Sequence, residues 1–118
     1  MTETQHQCNV IKWSQQPSIR AKYPELKLLH HVKNETTEGA RRVSIDSAIG
    51  VKKGVPDLFL PSAHGKYHGL YIEMKTEKGR ASPAQLWWIE ELNKAGFFAE
   101  VCRGWESAVR LLEWYLSL

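Results

Sequence analysis

The chain has little of what would staple, anchor or unfold it. Two cysteines occur in 118 residues, Cys8 and Cys102, far apart and outside any C-x-x-C spacing. That excludes a disulfide framework and a cysteine-based zinc site, and a reducing compartment, the cytoplasm, is the expected location. No run approaches the roughly 18 uninterrupted apolar residues of a membrane-crossing helix, and the opening MTETQHQCNV has no basic stretch followed by an apolar one. No repeat, low-complexity tract or linker interrupts the chain, so residues 1–118 are expected to form one domain. Charge of either sign is not in large excess. The formal net charge of +3 and a pI near 8.9 permit an anionic partner without requiring one.

What is present is the composition of an ordinary globular protein, with five tryptophans. TETQHQCNVIKWSQQ reads as a helix capped by Thr2 or Thr4, with Val10, Ile11 and Trp13 as its apolar face and Pro17 and Pro24 bracketing its end. Residues 26–32, LKLLHHV, read as a strand, KNETTEGARR as a loop, and residues 41–49 as a short helix turning Val43, Ala48 and Ile49 inward. VPDLFLP is a strand opened by proline, and GLYIEMK is its antiparallel partner across the loop SAHGKYH. SPAQLWWIEELNKAG carries strong helix signals: Ser82 as N-cap, Pro83 at the first position, Gly96 past the end, and a stripe of Leu86, Trp88, Ile89 and Leu92. FFAEVC is a fourth strand. WESAVRLLEWYLSL is a terminal helix with Val109, Leu112 and Leu116 inward.

Two apolar strand runs each hold a carboxylate, Asp57 and Glu73, where burial is costly. Strand alternation puts Glu73 and Lys75 on one face and Ile72 and Met74 on the other. Asp57, at the start of the neighbouring strand, converges on the same spot if the two strands pair beside their connection. Mg²⁺ takes one or two carboxylates together with waters and phosphate oxygens, which suits Asp57 and Glu73, and a bound cation keeps both ionised. Lys75 then serves as a point charge that orients the attacking water or offsets charge on the transition state. The proposal requires Asp57 within about 8 Å of Glu73, the reach of one shared ion.

KGVPDLFL, followed by YIEMK and then by SPAQLWWIEELNKAGFFAEVCRGWESAV, resembles the virus-type replication-repair nuclease family, VRR-NUC, a branch of the PD-(D/E)XK nucleases. The resemblance spans nearly the whole chain. It implies an α/β fold, the restriction-endonuclease-like αβββαβ core with a mixed four-stranded sheet flanked by helices. That order agrees with the one read from pattern, with the short helix as a decoration. The resemblance places metal-binding acids on Asp57 and Glu73, a catalytic lysine on Lys75, a further acid of the first helix on Glu3, and a catalytic-site glutamine on Gln85. Asn34 matches a family position after the first strand.

Lys52 and Lys53 before Asp57, and Lys78 and Arg80 after Lys75, are expected to flank one cleft and touch phosphates, with Arg41 and Arg42 extending the track. His30 and His31 point to opposite faces of a strand, and His64 and His68 lack companions at zinc spacing, so no zinc site is expected. Trp87, Trp88 and Trp114 are read as core or subunit packing on helices rather than as base-stacking groups, and Trp105 as the start of the last helix. The resulting expectation is a Mg²⁺- or Mn²⁺-dependent endonuclease acting on branched, Holliday-junction-like DNA in replication, recombination or repair. It is expected to be a homodimer in a bacterial or phage-infected cell, without an organic cofactor or a membrane. The rival readings are a catalytically inactive DNA-binding module on the same fold and a small structural or inhibitor protein.

Overall fold

Two reciprocal caps set the helices that frame the sheet. At α1 (Glu3–Gln15) the Gln5 amide donates to the Thr2 hydroxyl at 3.1 Å, and the Gln5 side chain accepts from the Thr2 amide at 2.8 Å. At α4 (Pro83–Lys94) Ser82 and Gln85 repeat the arrangement at 3.2 and 2.8 Å, with Pro83 at the first helical position. Gly96 ends that region at φ +95°, and a side chain there would also run into His68. The computed structural model describes residues 1–34 and 39–118, and the side chains of residues 39, 40, 42 and 43 are outside that description. The loop expected before the short helix therefore falls partly outside the described residues, as do the inward placement of Val43 and the part assigned to the Arg42 side chain.

The described strands form one sheet in the order β1 (His30–His31), β2 (Leu58–Leu60), β3 (Leu70–Lys75), β4 (Phe98–Arg103). The first two pairings are antiparallel and β3 with β4 is parallel, so the sheet is mixed, with α4 as the crossover between the parallel pair. This is the expected α/β architecture of four strands flanked by helices. One face is apolar: Leu58 and Leu60 of β2, with Leu70, Ile72 and Met74 of β3, close against Val10 of α1 and Leu112 of α5 (Trp105–Leu116). Full burial of each such side chain contributes roughly 1.5–3 kcal/mol. Tyr115 is also buried there, and its hydroxyl donates to the Ser62 carbonyl at 2.7 Å. No described helix is long and apolar enough to cross a membrane.

Several local expectations are corrected. Only His30 and His31 of the 26–32 run are strand. Pro17 opens a second helix, α2 (Pro17–Lys22), and Pro24 starts a 3₁₀ turn through Leu28 in which the Leu26 amide bonds the Tyr23 carbonyl at 3.1 Å. The run thus gives Leu26 to the core and leaves Leu28 exposed. The short helix is longer than expected, α3 (Gly39–Ala48). Among its described side chains the buried one is Asp46, ion-paired with Lys33 at 3.5 Å, whereas Ala48 and Ile49 face solvent. On α4, Leu92 is buried while Leu86 is 53% exposed, and on α5 the inward set includes Leu111 and Tyr115, with Val109 half-buried.

Candidate active site

The register of the sheet builds the site. Leu58 pairs with Ile72, so Asp57, one step earlier, falls opposite Glu73, and its Oδ2 accepts the Met74 amide proton at 2.8 Å. That bond turns the Asp57 side chain along β3. Glu73 and Lys75 project from the face opposite the apolar core. Helix α1 packs on β3 and brings Glu3, its first residue, to the same place. Oxygens of Glu3, Asp57 and Glu73 all lie within 4.8 Å of one another. Lys75 Nζ is 3.6 Å from Glu3 Oε1 and 3.7 Å from Glu73 Oε2.

Gln85 joins the group through its cap. Its side-chain oxygen is held by the Ser82 amide, and its Nε2 donates to Glu73 Oε2 at 3.4 Å. The structure thus brings Glu3, Asp57, Glu73, Lys75 and Gln85 together, from four separate chain segments. The start of α1 is tied by its own cap, which closes the helical turn that carries Glu3.

Glu73 is 1% exposed, and its carboxyl is pushed up to about 9. Burial is the main cause, followed by the hydrogen bond and the negative charge of Asp57, with Glu3 adding a smaller push and Lys75 opposing it. The bond to Asp57 requires a proton between the two carboxyls. Glu73 Oε1 otherwise meets no hydrogen-bond donor among the described residues. Three carboxylates and one ammonium leave two negative charges uncompensated when all are ionised. A divalent cation matches that deficit, and an all-oxygen donor set suits a hard ion such as Mg²⁺ or Mn²⁺ rather than zinc. A cation held by Glu3, Asp57 and Glu73 would supply Lewis acidity to a substrate oxygen and to an attacking water. Lys75 stands beside two of the three acids, where its charge opposes their repulsion and reaches the same space.

The histidines stay out of the acidic group. His31 Nδ1 lies 2.9 Å from the Asp57 carbonyl, His64 pairs with Glu25 at 3.1 Å, and His68 packs edge-on to Phe97. The expected basic residues do not form one assembly with the acids. Lys52 and Lys53 line a cleft with Ala84, Trp87 and Trp88. Lys78 lines a second cleft with His6, Arg103, Glu106 and Arg110, while Arg80 is exposed and lines neither. Arg103 donates to the Gly79 carbonyl. Asn34 and Arg41 make no hydrogen bond or ion pair with the three acids. Arg103, Arg110 and His6 were missed in the sequence, although RGW at the strand-to-helix corner was a usable signal: Gly104 takes φ +87° there and the Trp105 amide donates to His6 Nδ1 at 3.1 Å.

Comparison with known proteins agrees with this geometry. The VRR-NUC domain model matches residues 1–106. A solved structure described as a VRR_NUC domain protein has a TM-score of 0.84 and 32% identity, covering 99% of this chain and 89% of that one. No curated protein matches the chain. The family match over most of the sequence, on the same mixed sheet that gathers the acids, establishes that the chain belongs to the VRR-NUC family and carries its nuclease-type fold.

Proposed function

We propose that this chain is a metal-dependent DNA endonuclease. The observation that carries the reading is the meeting of Glu3, Asp57 and Glu73 within 4.8 Å beside the ammonium of Lys75. The nuclease family points to DNA as substrate, and the acids to Mg²⁺ or Mn²⁺. Glu3, Asp57 and Glu73 hold the cation, Lys75 steadies the negative charge that grows on the phosphate, and Gln85 fixes the rotamer of Glu73. Lys52, Lys53, Lys78 and Arg80 hold phosphates on either side, a contribution that weakens as salt rises.

The substrate favoured here is branched, Holliday-junction-like DNA, cut by a homodimer of single-domain chains acting in the cytoplasm in replication, recombination or repair. The exposed Trp114 and Leu118 near the end of α5 offer apolar area for subunit contact. Incubation with linear, flapped and four-way DNA, in Mg²⁺, Mn²⁺ or chelator, tests the proposal. Wild type should cut in metal alone and prefer the branched substrates, and Glu73→Ala should not cut. Binding without any metal-dependent cleavage would leave the DNA-binding-module reading instead. Sedimentation showing only monomer at micromolar concentration removes the homodimer.

A further inference from the structure

We infer that the cleft between the Lys52–Lys53 loop and α4 takes an unpaired nucleobase of the substrate, stacked on Trp87, with the two lysines on its phosphates. The inference rests on the DNA reading above and adds a subsite to it. Trp87 is 56% exposed at the cleft formed by Lys52, Lys53, Ala84 and Trp88. An apolar floor with a cationic rim is the chemistry of a single-strand stacking platform, in which a base face meets a ring and ammonium groups meet the backbone. In an intact duplex those base faces are hidden by their neighbours.

The walls are fixed before any ligand arrives. The Trp88 indole N–H donates to the Lys53 carbonyl at 3.0 Å, which pins the loop and satisfies that ring's polar atom. Trp88 then braces Trp87 edge to face, with centroids 5.5 Å apart and planes at 86°. Gly54, at φ +90°, lies so close to Ala84 that a Cβ would come within 2.9 Å of it. The loop is thus clamped to the first turn of the helix, and little ordering is left for binding to impose.

Position ties this cleft to the acids. Gln85, in contact with Glu73, is only two residues before Trp87, a rise of about 3 Å along the helix. The loop leads through Gly54 directly to Asp57. The cleft and the acidic group thus share two segments, the start of α4 and the loop into β2, with Trp87 turned to a different side of the helix from Gln85. A second copy of the chain fits this face less well, because a two-fold contact centred on the cleft would gather the lysines of both copies with no acid in its lining to offset them.

The test uses forked and fully paired DNA carrying 2-aminopurine at the first unpaired position, or its paired equivalent, in chelator for binding and in Mn²⁺ for cleavage. Wild type should quench the forked probe, and Trp87→Ala should lose the quenching and about tenfold or more of kcat/KM on forked DNA, with Trp87→Phe partly restoring both. Cleavage of paired DNA and Mn²⁺ affinity should be unchanged. Trp87→Ala affecting forked and paired substrates equally, or neither, overturns the inference. So does a variant that merely converts a dimer to a monomer in sedimentation, which would make the face a subunit contact. If wild type quenches through Trp87 but cuts nothing in Mn²⁺, the nuclease reading fails and the base subsite stands.

Discussion

Strand β3 buries both of its faces, and the two burials act in opposite directions. Leu70, Ile72 and Met74 go under α1 and α5 with no polar atom to satisfy, and each contributes to stability. Glu73 and Lys75, alternating with them, are almost as well buried on the far side. There the desolvation of charge costs stability, and Glu73 Oε1 meets no hydrogen-bond donor among the described residues besides the proton shared with Asp57. The same backbone, with the same alternation, thus carries a face that holds the fold together and a face that the fold sustains at a loss. Stability should reside on the first and chemistry on the second, and single substitutions can separate the two.

The largest separation is expected at Glu73 and Lys75. Glu73→Gln or Lys75→Ala should lower metal-dependent cleavage by about a thousandfold, equivalent to about 4 kcal/mol of transition-state stabilisation. The neutral amide of Glu73→Gln should leave the metal-free protein folded, because it replaces a carboxyl that is itself protonated there and its N–H can still donate to Asp57. Cleavage at the wild-type rate by Glu73→Gln defeats the assignment of the site. On the other face, Ile72→Ala should cost about 2–5 kcal/mol of folding stability. Its cleavage rate, measured well below the lowered melting temperature, should stay within a few-fold of wild type. If Ile72→Ala loses activity while fully folded, the two faces are not independent.

A smaller effect follows from protons and metal on the acidic face. In chelator, folding raises the Glu73 pKa from 4.5 to about 9, so the folded state holds a proton that the unfolded state gives up in that interval. The stability this contributes is complete below pH 4.5 and is lost progressively as pH rises towards 9. The metal-free melting temperature should fall over that range, and Glu73→Gln should flatten the slope. A cation that takes the proton's place should stabilise the wild type increasingly as pH rises, by about 2.7 kcal/mol at a hundredfold excess over its dissociation constant. Parallel pH profiles for wild type and Glu73→Gln in chelator would contradict the origin given for the shift.

The two faces were not equally legible in the sequence. Alternation in YIEMK assigned Glu73 and Lys75 to one side and Met74 to the other, and Ser82–Pro83 with Gly96 bounded α4 closely, because these are local signals with one physical meaning. Asp57 was reachable because a hairpin fixes which residues face each other. The run 26–32 failed because a short apolar stretch fits a strand or a helical turn equally well, and Pro24 decides for the turn. On α4, two tryptophans, Leu86, Ile89 and Leu92 spread apolar character around the helix, so periodicity could not show that Leu86 and Trp87 face outward. Glu3 came only from family resemblance. Its carboxylate is set by the packing of α1 on β3, across seventy residues of sequence between Glu3 and Glu73, and no local pattern encodes that.

The finest comparison is between the two caps. Gln5 and Gln85 each close a reciprocal hydrogen-bonded start, Gln5 with Thr2 on α1 and Gln85 with Ser82 on α4. Only Gln85 has a second task, donating its Nε2 to Glu73 Oε2 at 3.4 Å while its oxygen remains in the cap. Gln5→Ala and Gln85→Ala should therefore cost similar stability, about 0.5–1 kcal/mol by denaturant unfolding, since each removes one side chain of a cap and leaves the hydroxyl. Metal affinity and cleavage should divide them. A group that orients a metal-binding side chain typically accounts for 10–100-fold, so Gln85→Ala should weaken Mn²⁺ binding by roughly tenfold while Gln5→Ala leaves it near wild type. Equal loss of metal affinity in the two variants would mean that helix order alone holds the acids in place. The cap at α4 would then have no more part in the site than the cap at α1.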